Sequence, residues 1–137
     1  MADLIDIILE PERALETAVA VLSAGEPVAM PTETVYGLAA DATNPDAISR
    51  IYEIKGRPRF NPLIAHVASL EMAKEHADFD PISLKLAETF WPGPLTLVVP
   101  LKAESAIHEL CTAGLPTVGM RAPQGFAGAL ISRFGRP

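Results

Sequence analysis

The sequence predicts a layered α/β or α+β domain built on a mixed β-sheet. Three observations predict it. Helix-period and strand-like patterns alternate along the chain with no repeat, low-complexity tract or linker. The length, 137 residues, suits one domain. Hydrophobic residues make up 49% and charged residues only 20%, enough apolar side chain for a core and too little charge for disorder.

The elements follow in order. Pro11 to Ala24 is predicted helical: Pro stands early, Leu15, Ala18, Val19 and Leu22 recur at helical spacing, and Gly25 stops it. Pro27 to Met30 is a short strand ended by Pro31, and the small apolar run Val35 to Ala42 is extended. Asn44-Pro45-Asp46 starts a second helix, with Asn as cap and Pro in the first turn. It runs to about Lys55, with Ile48, Ile51, Tyr52 and Ile54 available for packing. Arg57 to Pro62 is loop, because two prolines and Asn61 break regular structure. Leu63 to Val67 is a buried-strand candidate. Ser69 caps a helix to about His76, and Asp80-Pro81 starts another to about Phe90. Trp91-Pro92-Gly93-Pro94 is a rigid turn. Leu95 to Leu101 is the strongest strand, Glu104 to Cys111 is weakly helical, Thr117 to Arg121 is a strand, and Gly125 to Phe134 is a small helix closed by Gly135.

Charge narrows the function. The formal net charge of -6 argues against nonspecific coating of nucleic acid. Residues 1–30 carry six acids, Asp3 among them, against Arg13 alone. Cations concentrate instead at Arg50, Lys55, Arg57 and Arg59, and again at Arg121, Arg133 and Arg136. An acidic chain with local cationic stretches suits a small anionic ligand. The single Cys111 excludes an internal disulfide, and no Cys/His group has zinc-ligand spacing. The acidic N-terminus lacks a signal peptide's basic region, and no apolar run reaches the roughly 18–20 residues of a membrane span. A soluble, cytoplasmic protein is expected.

The polar chemistry lies mainly between Met30 and Val67. Lys55-Gly56-Arg57-Pro58-Arg59 places three cations on a loop, where they converge on a polyphosphate or form a solvated basic turn. Asn61 either bonds a base or phosphate or simply forms a turn before Pro62. Thr32 and Thr34 either bind a ligand's charged groups or close a local turn. His66 ends a strand that follows the cationic loop and either reaches the same pocket or sits as a satisfied residue. His76 and His108 are expected on the surface. Trp91 to Thr96 reads as structural, and Cys111 as a small hydrophobe. Thr117 and Arg121 share a strand face, and Arg121 calls for an anionic partner, an internal acid or a bound carboxylate. No Ser/His/Asp or Cys/His nucleophile system is visible.

Pro31-Thr-Glu-Thr-Val-Tyr-Gly-Leu38, Lys55-x-Arg57-Pro-x-x-Asn61-Pro-Leu63, His66, Trp91-Pro-Gly-Pro-Leu-Thr96 and Thr117-Val-Gly-Met-Arg121-x-Pro123 occur in that order. Together they resemble the YrdC/TsaC family of threonylcarbamoyl-AMP synthases, from about residue 11 to the last. The resemblance implies an open, twisted mixed sheet flanked by helices, with a deep positive cavity. It implies synthesis of threonylcarbamoyl-AMP and pyrophosphate from L-threonine, bicarbonate and ATP, for modification of tRNA. Lys55, Arg57, Asn61 and Thr117 would hold ATP with Mg²⁺, and Thr34, His66 and Arg121 would hold threonine, with Arg121 on its carboxylate. No residue is assigned as a catalytic nucleophile. Catalysis would come from charge stabilisation and positioning. Two other functions compete: a nucleic-acid module binding double-stranded RNA or tRNA, and a carbamoyl-handling domain of the same fold. Two departures are visible. Gln124 stands where relatives often carry His. The family pattern also continues past Pro137 into a Ser-x-Asn segment, so residues 1–137 are expected to form one such domain lacking its C-terminal portion, inactive alone.

Overall fold

The computed structural model describes residues 4–137; Asp3, counted above among the acids, lies outside the described residues. Helices α1 (Pro11–Ser23), α2 (Pro45–Lys55), α3 (Leu70–His76), α4 (Pro81–Phe90) and α5 (Gly125–Phe134) alternate with strands β1 (Val28–Pro31), β2 (Tyr36–Ala39), β3 (Ile64–His66), β4 (Leu97–Pro100) and β5 (Thr117–Arg121). This is the α+β class. The strands divide between two sheets: a β1–β2 hairpin, and a mixed sheet of order β3-β5-β4 in which β5 is parallel to β3 and antiparallel to β4.

Local chemistry sets the helix starts. The Asn44 side chain accepts from the backbone N–H of Asp46 and Ala47, Ser69 from Met72, and Asp80 from Ser83. Each satisfies N–H groups that the first helical turn leaves unpaired. Helix α2 ends at Gly56, whose φ of 59° is left-handed and favours glycine.

Two apolar clusters form the interior. The larger one joins Ile48 and Tyr52 of α2 to Ala65, Leu97, Val99, Val118 and Met120 of the three-stranded sheet. The smaller joins Leu15, Ala18 and Leu22 of α1 to Met30, Ala127 and Leu130, so α5 packs on α1 beneath the hairpin. Along β5 burial alternates: Val118 and Met120 enter the core, leaving Thr117, Gly119 and Arg121 on the other face.

Four expectations shift. Pro31 continues β1, pairing with Tyr36, because a two-stranded hairpin leaves an edge where a missing N–H costs nothing. β4 begins at Leu97, because the indole Nε1–H of Trp91 takes the Leu95 carbonyl at 2.8 Å. Residues 104–111 form turns and no helix. There Ser105 Oγ accepts from Ile107 N–H and His108 Nδ1 from Leu110 N–H, local bonds that compete with a helical ladder. His76 is buried and not on the surface: its Nδ1 lies 2.9 Å from Ser105 Oγ, tying α3 to that segment, and His108 is half-buried.

Candidate functional site

The β1–β2 hairpin and the three-stranded sheet enclose a cavity of about 310 Å³, floored by apolar side chains of α1, α2 and α5. Thr34, Lys55, Arg57, His66 and Arg121 all line it, although 87 residues separate the first from the last. Each arrives on a different support. Thr34 sits on the hairpin turn, Lys55 at the end of α2, Arg57 on the following loop, and His66 and Arg121 on adjacent strands in direct register. Asn61 and Thr117 are not among the lining residues.

The cationic loop separates into parts with different work. Arg57 folds back on its own loop, donating from Nε to the Asn61 carbonyl at 3.4 Å and from Nη2 to the Pro62 carbonyl at 2.9 Å. Its charge meets only carbonyl oxygens there. Arg59 turns away from the cavity. It donates to Ser49 Oγ at 3.2 Å and lies 5.7 Å from the Tyr52 ring centroid, so the expected convergence of three cations reduces to Lys55 and Arg57. Asn61 contributes its backbone: its carbonyl accepts from Tyr52 Oη at 2.8 Å.

Arg136, counted in the sequence only as one of the C-terminal cations and given no site role there, also reaches the cavity. It lines the cavity, lies over the Phe134 ring, and bonds Asp41 Oδ2 from Nε at 2.9 Å and Nη2 at 2.8 Å. Burial alone would raise the Asp41 pKa; hydrogen bonds from Arg136 and Thr43 outweigh it and hold the carboxyl below its usual value. A sequence separation of 95 residues hides such a pair. The contrast is informative. Among the described residues, Lys55, Arg57 and Arg121 form no ion pair, while Arg136 does. Cations that face an apolar cavity with no carboxylate partner favour anion binding, although the Glu33 charge is near enough to act on His66.

The remaining groups shape this field. Arg121 donates from Nε to Thr96 Oγ1 at 2.9 Å, so its internal partner is a hydroxyl and not an acid. His66 is half-buried, with Nδ1 3.2 Å from the Ile64 carbonyl. Burial, aided by the Arg121 charge, pushes its pKa down and favours the neutral ring. Thr32 closes the hairpin turn: its hydroxyl donates to the Val35 carbonyl and accepts from Val35 N–H at 3.2 Å. Thr34 is left exposed, its hydroxyl 3.1 Å from that of Thr32. Gln124 ties the region together, donating from its backbone to Glu33 Oε2 at 3.4 Å and from Nε2 to the Pro92 carbonyl at 2.9 Å. Buried Cys111 has its pKa pushed up to about 11 by burial alone, which makes it a poor nucleophile. Among the described residues no group of three or more His, Cys, Asp or Glu side chains is placed to hold a metal ion, and no helix is long and apolar enough to cross a membrane.

Comparison with known proteins bears on the family and the fold. Residues 20–137 match the Sua5/YciO/YrdC family model, described as telomere recombination. A threonylcarbamoyl-AMP synthase of Bacillus subtilis is 44% identical over 137 residues, covering 98% of this chain and 39% of the relative. A threonylcarbamoyl-AMP synthase of Pyrococcus abyssi is 48% identical over 113 residues, covering 82% and 33%. The crystal structure of P. abyssi Sua5 complexed with L-threonine superposes with a TM-score of 0.85 at 42% identity, covering 98% of this chain and 38% of that one. The chain thus spans 33% to 39% of the length of these relatives.

Proposed function

The chain belongs to the Sua5/YciO/YrdC family, and from that premise we propose that it provides the nucleotide- and amino-acid-binding part of an L-threonylcarbamoyladenylate synthase. The reaction would take L-threonine, bicarbonate and ATP to threonylcarbamoyl-AMP and pyrophosphate, a cytoplasmic step that supplies tRNA modification. One observation carries this reading. Five polar side chains from separate elements line one cavity, and three of them are cations with no carboxylate partner among the described residues.

In this reading Lys55 and Arg57 take the ATP phosphates. Asn61 and Thr117 join them by their place alone: Asn61 shares the loop with Arg57, and Thr117 shares the Arg121 face of β5. Mg²⁺ comes with the phosphates, as that ion is usually held. Arg121 takes the threonine carboxylate, while Thr34 and His66 contact the rest of the amino acid. Adenylation transfers a nucleotidyl group and builds charge on the α-phosphate and departing pyrophosphate. Pre-placed cations stabilise that charge, and a shared cavity supplies proximity. A largely neutral His66 beside Arg121 avoids adding a second charge at the carboxylate end.

The relatives' names favour this reading over a nucleic-acid module or a different carbamoyl-handling domain. Isothermal titration with ATP, L-threonine and a short RNA duplex tests it. Saturable binding of ATP and L-threonine is expected. Binding of the duplex with neither small molecule would sink it.

A further inference from the structure

The turn from Trp91 to Thr96, structural by sequence, ends on the side chain that holds Arg121. β4 pairs with β5 so that Leu97 faces Met120; one step further along the ladder, Thr96 comes beside Arg121. Thr96 Oγ1 accepts the Arg121 Nε–H at 2.9 Å. On the other side of β5, His66 of β3 is in register with Arg121. Arg121 is therefore the centre of a row across the sheet, between His66 and Thr96. The turn carrying Thr96 is itself anchored. Trp91 Nε1–H donates to the Leu95 carbonyl, Gly93 N–H to Ala122 at 2.8 Å, and Gln124 Nε2 to Pro92.

We propose that Thr96 is a positioning residue for carboxylate recognition by Arg121, a proposal that rests on the threonine reading of the cavity. A carboxylate engages a guanidinium end-on through both terminal nitrogens, or side-on through Nε and one of them. With Nε held by Thr96, the side-on approach is closed and the end-on fork remains. Holding the guanidinium in one orientation before the ligand arrives also removes rotamer entropy that binding would otherwise cost. Thr96 does not touch the ligand in this arrangement; it acts through Arg121.

The test compares Thr96→Val, which keeps the shape and removes the acceptor, with Thr96→Ser, which keeps the acceptor. In the ligand-free chain, heteronuclear NMR of arginine Nε–H groups reads the contact directly. A solvent-protected Arg121 Nε–H is expected in wild type and Thr96→Ser, and fast exchange in Thr96→Val. By calorimetry, Thr96→Val should bind L-threonine about three- to tenfold more weakly, with Thr96→Ser within about twofold of wild type. L-threoninol, which lacks the carboxylate, should not distinguish the variants. Wild-type L-threonine binding untouched by Thr96→Val overturns the proposal alone, and so does a Thr96→Ser chain as impaired as Thr96→Val. A wild-type chain that binds no L-threonine overturns the ligand reading and the proposal with it.

Discussion

Replacing Tyr52 with Phe tests how the cationic loop is held against the fold. Tyr52 is 2% exposed, and its hydroxyl reaches the Asn61 carbonyl at 2.8 Å and the Leu110 carbonyl at 3.1 Å. One side chain of α2 thereby joins the Arg57–Pro62 loop to the segment before Cys111. Phe keeps the ring, so core packing and the stacking of Arg59 persist and only the hydroxyl is lost. Asn61 retains the Arg57 contact at 3.4 Å, whereas Leu110 loses this partner. One lost hydrogen bond and one weakened, half-buried acceptor cost about 1–2 kcal/mol. At a urea slope of about 2 kcal/mol per molar, within the usual range for small proteins, the midpoint should fall by roughly 0.5–1 M with the slope unchanged. ATP affinity should fall with it as the loop loosens, while L-threonine affinity holds, since Arg121 is supported by other strands. A midpoint within about 0.1 M of wild type would refute the account, because no other interaction has been removed.

Acid should weaken the fold through His66 and His76, both held below the ordinary 6.5 by burial as the first cause. The unfolded chain then takes up protons that the folded chain refuses, so this stability is complete above 6.5 and lost as pH falls below it. Urea midpoints at about pH 7.5 and about pH 5.5 should differ in that sense, and equal values would contradict it; Asp41, with its lowered pKa, acts only at more acidic pH. Arg57→Ala should weaken ATP binding by roughly 2–3 kcal/mol, whereas Arg59→Ala, outside the cavity, should leave it within about twofold. Equal losses in the two titrations would return the loop to a nonspecific basic turn. Asn44→Ala removes the cap of α2 and should cost about 0.5–2 kcal/mol by urea unfolding, with ATP affinity checked in parallel because α2 ends on Lys55.

Element positions were legible where the chain carries its own punctuation. Asn44, Ser69 and Asp80 each precede a helix and each caps it, and Gly56 and Gly135 close helices in the left-handed conformation. The failures occur where side chains from distant segments compete with local preference. Residues 104–111 have a weak helical pattern, but Ser105 and His108 satisfy nearby N–H groups and His108 N–H goes to the Ala42 carbonyl. His76 has acidic neighbours in sequence, yet Ser105, 29 residues away, gives its buried ring a partner. Periodicity names the face of an element; it does not say what stands opposite that face.

The same limit governs the site. Lys55, Arg57 and Arg59 form one cluster in sequence, and the structure divides them according to what each finds. Arg59 finds an aromatic ring and a serine on α2 and leaves the cavity. Arg57 finds only carbonyls and stays. Arg121 and Arg136 differ in the same way: one ends on a hydroxyl, the other on a buried carboxylate. A carboxylate neutralises its partner and removes it from ligand binding, whereas a hydroxyl or carbonyl orients a guanidinium and leaves its charge in place. Of the guanidinium groups that line the cavity, Arg57 on the loop and Arg121 on the central strand thus have only uncharged internal partners, and with Lys55 they are the cations we propose for anion binding.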